Sequence, residues 1–138
     1  MTTMFSAHEQ IVRDLFAAIE DDTFLEEPGR YWHPDAEQIE YPSLLRPAGG
    51  SRSLAGILQG AQAGRGMIRG QTYEVHTVIE QGDRMAMQFT WRATLGTDLG
   101  GMTAGSELVA HIAVFYEFRD GRILRQSSYD CYEPLPQA

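Results

Sequence analysis

Two periods divide the chain. From residue 7 to about 21, Ile11, Val12, Leu15, Phe16 and Ile19 recur at three- and four-residue steps, the spacing of a single helix face. Ser6-Ala7-His8-Glu9 stands just before them with capping-box spacing, and the acidic Glu20-Asp21-Asp22 follows, so an amphipathic helix over about 7–21 is predicted. Pro28 suits the first turn of a short second helix through Trp32, because a first-turn amide has no partner to lose. His33-Pro34 then stops helix, since the residue before proline is driven to extended backbone. AEQIEY, residues 36–41, reads as a short strand. Residues 47–50 read as loop, and Ser51 or Ser53 caps a third helix carrying Leu54, Ile57, Leu58 and Ala61.

From residue 71 the period becomes two. TYEVHTVI, the turn Gln81-Gly82-Asp83 and RMAMQFTWRATL form a predicted hairpin. In its second strand Met85, Met87, Phe89, Trp91 and Ala93 share one face, and Ala86, Gln88, Thr90, Arg92 and Thr94 the other. SELVAHIAVFYEF is apolar on both faces, as expected for the middle of a covered sheet. Asp120-Gly121 is a two-residue hairpin signal, and ILRQSSYDCY is the last strand. Three helices followed by a four-stranded antiparallel meander, with a short extra strand, give an α+β plan in which helices on one face of a curved sheet enclose a cavity. At 138 residues the chain is expected to be one domain spanning 1–138.

Charge narrows the partners. Nineteen acidic against eleven basic residues leave a formal charge of −8, with no basic run, which argues against nucleic acid and against anionic partners unless a local basic spot overrides the global field. The lone Cys131 excludes an intrachain disulfide and a cysteine-based zinc site. MTTMFSAHEQ has neither the basic nor the apolar part of a signal peptide, and no window nears the roughly 20 apolar residues that cross a bilayer. A cytoplasmic protein that does not engage membranes is the expectation. His8, His33, His76 and His111 are too scattered for a metal site, and no cofactor is implied.

Asp130 stands out chemically. It lies between Tyr129 and Cys131 on a strand expected to be largely buried, where loss of water raises a carboxyl's proton affinity into the range of a general acid or base. The structural alternative is that Asp130 caps the C-terminal segment or pairs with Arg125 or Arg92 at the surface. Glu40 sits in AEQIEY, facing solvent or the cavity mouth if Ile39 and Tyr41 face the core. His111 interrupts an apolar strand. Trp32, Tyr41, Phe89, Trp91, Tyr116 and Tyr129 are candidate lining for an apolar pocket that takes a small apolar or aromatic molecule.

The order of elements, with HPDA, EQGDRMAMQFTWRAT and FYEFRDGRILRQSSYD, resembles the nuclear transport factor 2-like superfamily over residues 7–132, closest to its SnoaL-like and ketosteroid isomerase-like branch. The resemblance implies a cone-shaped, cystatin-like α+β barrel. It also implies a homodimer through the outer sheet face, with Arg92 as an interface cation. The general-base carboxylate of ketosteroid isomerases falls near Glu40, but their helix tyrosine falls near Phe16 and their second carboxylate on Val114. The limonene epoxide hydrolase pattern meets Thr94 and Ser128 where it needs acids. The SnoaL-like cyclase pattern implies an acid on the last strand with His or Gln nearby, matched by Asp130 with His111 on the neighbouring strand. In the reading this supports, Asp130 is the acid/base, His111 or Glu40 the second proton carrier, and Tyr41 or Tyr129 a donor to enolate charge. The implied activity is cofactor-free proton transfer next to a carbonyl, as in an isomerase, cyclase or dehydratase. The alternative is a non-catalytic binding or dimerisation module of the same fold.

Overall fold

The computed structural model describes residues 4–135. The first helix, α1, runs Ala7–Glu20 and turns Val12, Leu15 and Phe16 inward. Ser6 caps it by accepting the Glu9 amide at 3.0 Å, whereas the Glu9 carboxylate turns outward to Arg13 at 2.8 Å instead of returning to the cap. Only half of the predicted capping box forms. The stretch Pro28–Arg30 makes a single 3-10 turn, preceded by another over Phe24–Glu26. Three residues with Gly29 at their centre lack the length to repay helix nucleation. There are thus two α-helices among the described residues rather than the expected three.

Extended backbone begins earlier than the alternation suggests. Strand β1 covers Trp32–Glu40, includes His33-Pro34, and pairs in parallel with the last strand. Its register slips between Trp32 and Glu37, around the proline that has no amide to give the ladder. Residues Gly50–Ser53, expected as loop and cap, add an edge strand, β2, antiparallel to β1. Helix α2 (Leu54–Gly64) follows directly, with Ser53 as its cap. Strands β3 (Ile68–Gln81), β4 (Arg84–Leu95), β5 (Glu107–Arg119) and β6 (Arg122–Tyr132) then form the predicted meander. The six strands lie in the order β2-β1-β6-β5-β4-β3.

The alternation predicted for β4 is the one observed. Met85, Met87 and Phe89 pack in one core with Val12, Leu15 and Phe16 of α1, with Val114, Tyr116 and Phe118 of β5, and with Trp32 and Ile123, and Ala93 is buried further along the strand beside Leu108. No helix among the described residues is long and apolar enough to cross a membrane.

The Asp120-Gly121 turn joins β5 and β6 in two residues, both left-handed, at φ 54° and 74°. That is the turn hand that matches strand twist. Gly121→Ala keeps every contact yet forces a Cβ into this conformation. We expect a loss of about 1 kcal/mol, read as a lowered denaturant midpoint with an unchanged slope.

Candidate functional site

A cavity of about 830 Å³ lies between the helices and the concave sheet face. Its two walls differ in chemistry. Leu15, Phe16 and Ile19 of α1, Phe24 and Leu25, Trp32, and Phe89, Trp91, Ile112 and Tyr116 of the sheet make an apolar, aromatic wall. The indole N–H of Trp32, itself 2 % exposed, finds no acceptor among the described residues.

The opposite wall is polar because of strand parity. Parallel pairing sets Gln38 beside Gln126 and Glu40 beside Ser128, and the same face of β6 continues with Asp130 and Tyr132. Asp130 accepts a hydrogen bond from the Ser128 hydroxyl. Its carboxyl is nonetheless pushed above the usual aspartate range, chiefly by burial and further by the Glu40 charge, with the Ser128 bond acting the other way. Burial, and then the Asp130 and Glu40 charges, push the Tyr132 hydroxyl up to about 12. Tyr73 is likewise held protonated, mainly by burial. It stacks on Phe16 with centroids 4.2 Å apart and points its hydroxyl at Gln71 Oε1, which the Trp91 indole also bonds at 2.9 Å.

Glu40 faces the cavity, not solvent. Two arginines approach it, Arg46 Nη1 at 3.2 Å and Arg52 Nη1 at 3.7 Å. The Arg46 contact is an ion pair out of line for a hydrogen bond, and that Nη1 has no acceptor among the described residues. Both side chains depend on glycines for room. A Cβ on Gly50 would lie 2.6 Å from Arg46 Nη2, and one on Gly60 would lie 3.0 Å from Arg52 Nη1.

The sequence-predicted residues divide accordingly. Asp130, Glu40, Trp32, Phe89, Trp91 and Tyr116 all line the cavity. Tyr41, Tyr129 and His111 do not, which corrects their expected place. Each is an odd step away from a cavity-facing neighbour and so points to the outer sheet face. There Tyr41 stacks on Tyr129 at 4.6 Å, and His111 bridges Thr90 Oγ1 at 3.3 Å and Glu133 Oε2 at 2.8 Å. Arg92 is on that face too, 3.6 Å from Glu107, and Arg125 pairs with Glu37 and Glu117, so neither arginine takes Asp130. Tyr73, Tyr132, Arg46 and Arg52 were not singled out from sequence. Counting two residues on from Asp130 finds Tyr132, and the alternation of TYEVHTVI finds Tyr73. The arginines give no local signal, since their approach depends on how β2 and α2 pack. No group of three or more metal-ligating side chains converges among the described residues.

The SnoaL-like domain matches residues 12–126 of the chain. In fold the protein is similar to wild-type IdmH, a candidate polyketide cyclase from Streptomyces antibioticus, at 22% identity over 89% of this chain and 91% of that one, with a TM-score of 0.74. A candidate polyketide cyclase from Acidithiobacillus ferrooxidans gives 18% identity over 94% and 91%, also with a TM-score of 0.74. TerC, co-crystallised with polyporic acid, gives 20% identity over 91% and 92%, with a TM-score of 0.67. Such identities speak to fold and not to activity. No protein of curated function matches the sequence. With the family pattern covering most of its length and the cone-shaped sheet closed by helices, the chain belongs to the SnoaL-like domain family, within the nuclear transport factor 2-like fold.

Proposed function

We propose that the cavity binds an apolar cyclic metabolite and that Asp130 moves a proton next to one of its carbonyls without a cofactor. The observation that supports this reading is a partly buried carboxyl with raised proton affinity, facing an aromatic wall across 830 Å³ of space. A general base works best when its pKa nears the working pH. Asp130 takes the proton from the carbon beside the carbonyl, and the C–H electron pair becomes an enolate. Tyr132, on the same strand face and still protonated, donates to the enolate oxygen. The enolate then recovers the proton from Asp130 at another carbon, as in an isomerisation, or its carbon adds to a second carbonyl of the same molecule, whose oxygen takes the proton back from Asp130, as in a cyclisation. TerC, similar in fold, was co-crystallised with a small molecule, polyporic acid.

A second reading, a non-catalytic binding module, rests on Phe16 and Val114, which stand where ketosteroid isomerases carry a tyrosine and a second acid. The two readings separate on proton exchange. Incubated in D₂O with 1-tetralone as a generic cyclic ketone, the native protein should accelerate exchange of the α-hydrogens, and Asp130→Asn should cut that rate by at least about a hundredfold. No protein-dependent exchange, with an Asp130 carboxyl that titrates in the ordinary range by carbon-13 NMR, would favour the binding module.

Stability carries an independent sign. Because the Asp130 carboxyl binds its proton more tightly when folded, its contribution is complete below the unfolded-chain value of about 4 and is lost as pH rises through the folded value. The Asp130→Asn variant lacks that loss, so it should gain stability relative to native protein between pH 4 and pH 7. Equal pH dependence in the two proteins would contradict the raised carboxyl.

We further propose that two copies associate through the outer sheet face, and that the protein works in a reducing, cytoplasmic compartment, as its single free Cys131 suits. Phe115 and Tyr129 are 54 % and 44 % exposed there and meet edge to face, beside Tyr41 and the 66 % exposed Ile79. Such an apolar patch is uncommon on a monomer. Gel filtration with light scattering should return twice 15.4 kDa, and Phe115→Glu should return the single mass.

A further inference from the structure

All eleven basic residues of the chain are arginines. Three of them, Arg52, Arg65 and Arg69, line the cavity that holds Asp130. The acids around the same space already have partners. Glu20 accepts the Tyr73 amide at 2.7 Å, Asp22 takes Arg65 Nε at 3.1 Å, Glu40 is in ion-pair contact with Arg46, and Asp130 accepts the Ser128 hydroxyl.

Two guanidiniums are left with donors to give. Arg52 Nη1 stands 3.7 Å from Glu40 Oε1, too long for a hydrogen bond. Its side chain nonetheless has a tailored seat along one face of α2. An added Cβ would come within 3.1 Å of Arg52 Cβ at Gly56 and within 3.0 Å of Nη1 at Gly60, one helical turn further on. Arg69, at the start of β3, takes part in none of the ion pairs formed among the described residues. Glycines surround it at the rim, with Gly96 close to its backbone and open space at Gly66 and Gly70.

A guanidinium seated against a helix and facing the cavity, with N–H groups that no atom of the described residues takes, is matched by a planar oxyanion that accepts two parallel hydrogen bonds. The formal charge of −8 does not prevent this. Exposed charges more than about 10 Å away are largely screened at 0.1 M salt, whereas contact donors inside the cavity are screened much less.

We propose that the cavity selects a ring compound bearing a carboxylate, with the carboxylate gripped by Arg52 on the polar wall and drawn in past Arg69 at the rim. This rests on the cavity-binding reading above and adds a ligand class to it. The ring lies on the aromatic wall formed by Phe16, Phe89 and Trp91. The anionic end then lies on the same side as Glu40 and Asp130, which orients the remainder of the ring system towards the Asp130 carboxyl.

Calorimetric titration with anthraquinone-2-carboxylate and its neutral counterpart 2-(hydroxymethyl)anthraquinone tests the assignment. Native protein should bind the carboxylate at least tenfold more tightly. Arg52→Gln should bring the two within twofold of each other while leaving affinity for the neutral ring within twofold of native. Gly60→Val keeps the arginine but evicts its guanidinium from the seat, and should lose the preference in the same way, which guards against an Arg52 variant that fails to fold. Arg69→Gln should lower carboxylate affinity about threefold. If native protein binds the two rings alike, or if Arg52→Gln and Gly60→Val both keep the preference, the proposal falls and the cavity-binding reading stands. If neither ring binds saturably, both fall.

Discussion

A strand with one face committed to a cavity allows no slip, and β6, held between β1 and β5, is such a strand. On one side Gln126, Ser128, Asp130 and Tyr132 face the cavity, and on the other Arg125, Ser127, Tyr129 and Cys131 face outward. A shift of one residue would exchange the two sets and put Tyr129 where Asp130 belongs. The two-residue Asp120-Gly121 turn opposes that shift at one end, because it leaves no spare residue to absorb it. At the other side the parallel ladder with β1 holds Glu40 beside Ser128, which places the second carboxylate within the field of the first. The position of the site therefore follows from strand register before any side-chain chemistry enters.

That register also explains which parts of the molecule could be read from the chain. Met85, Met87, Phe89 and Trp91 alternate without exception, so the concave face of β4 was legible, as was the amphipathic face of α1. The same rule was available for β6 but needed an anchor. Adjacent strand residues point to opposite faces, so Tyr129 and Asp130 cannot share one site. The same rule separates Tyr41 from Glu40 and His111 from Ile112. Hydrophobicity alone sends Ile39 and Tyr41 to the core. In fact Tyr41 finds its apolar partner in Tyr129 on the outer face. What the sequence could not supply was the edge. Strand β2 is four residues of Gly, Ser and Arg with no hydrophobic period, and it forms because β1 offers an open ladder. Since Arg52 sits on that strand, the arginines around Glu40 were invisible with it.

The glycines near α2 gain a meaning from the same packing. Along the chain Gly60, Gly64 and Gly66 make the end of the helix loose, and a glycine inside an exposed helix costs roughly 1 kcal/mol relative to alanine. In three dimensions Gly56 and Gly60 lie on one face, and the Arg52 side chain occupies the space their side chains would take. The helix gives up intrinsic propensity at these positions so that a cation can lie flat against it. Gly50 does the same for Arg46. Local and global preferences conflict here, and such conflicts collect at sites where a particular side-chain position matters more than stability.

The segregation of the cavity into an aromatic wall and a polar wall has its own energetic logic. A carboxyl placed among aromatic side chains alone would lack hydrogen-bond partners, and a carboxyl in open solvent would titrate as any other. Among the described residues, the Ser128 hydroxyl and the Glu40 charge have opposed effects on the Asp130 proton, so burial decides the outcome. The protein holds this unfavourable arrangement because β6 is fixed on both sides by its neighbours and cannot turn the residue out to water. A ligand entering the cavity displaces the remaining water and strengthens that burial. The proton affinity of Asp130 should therefore rise further when the cone is filled.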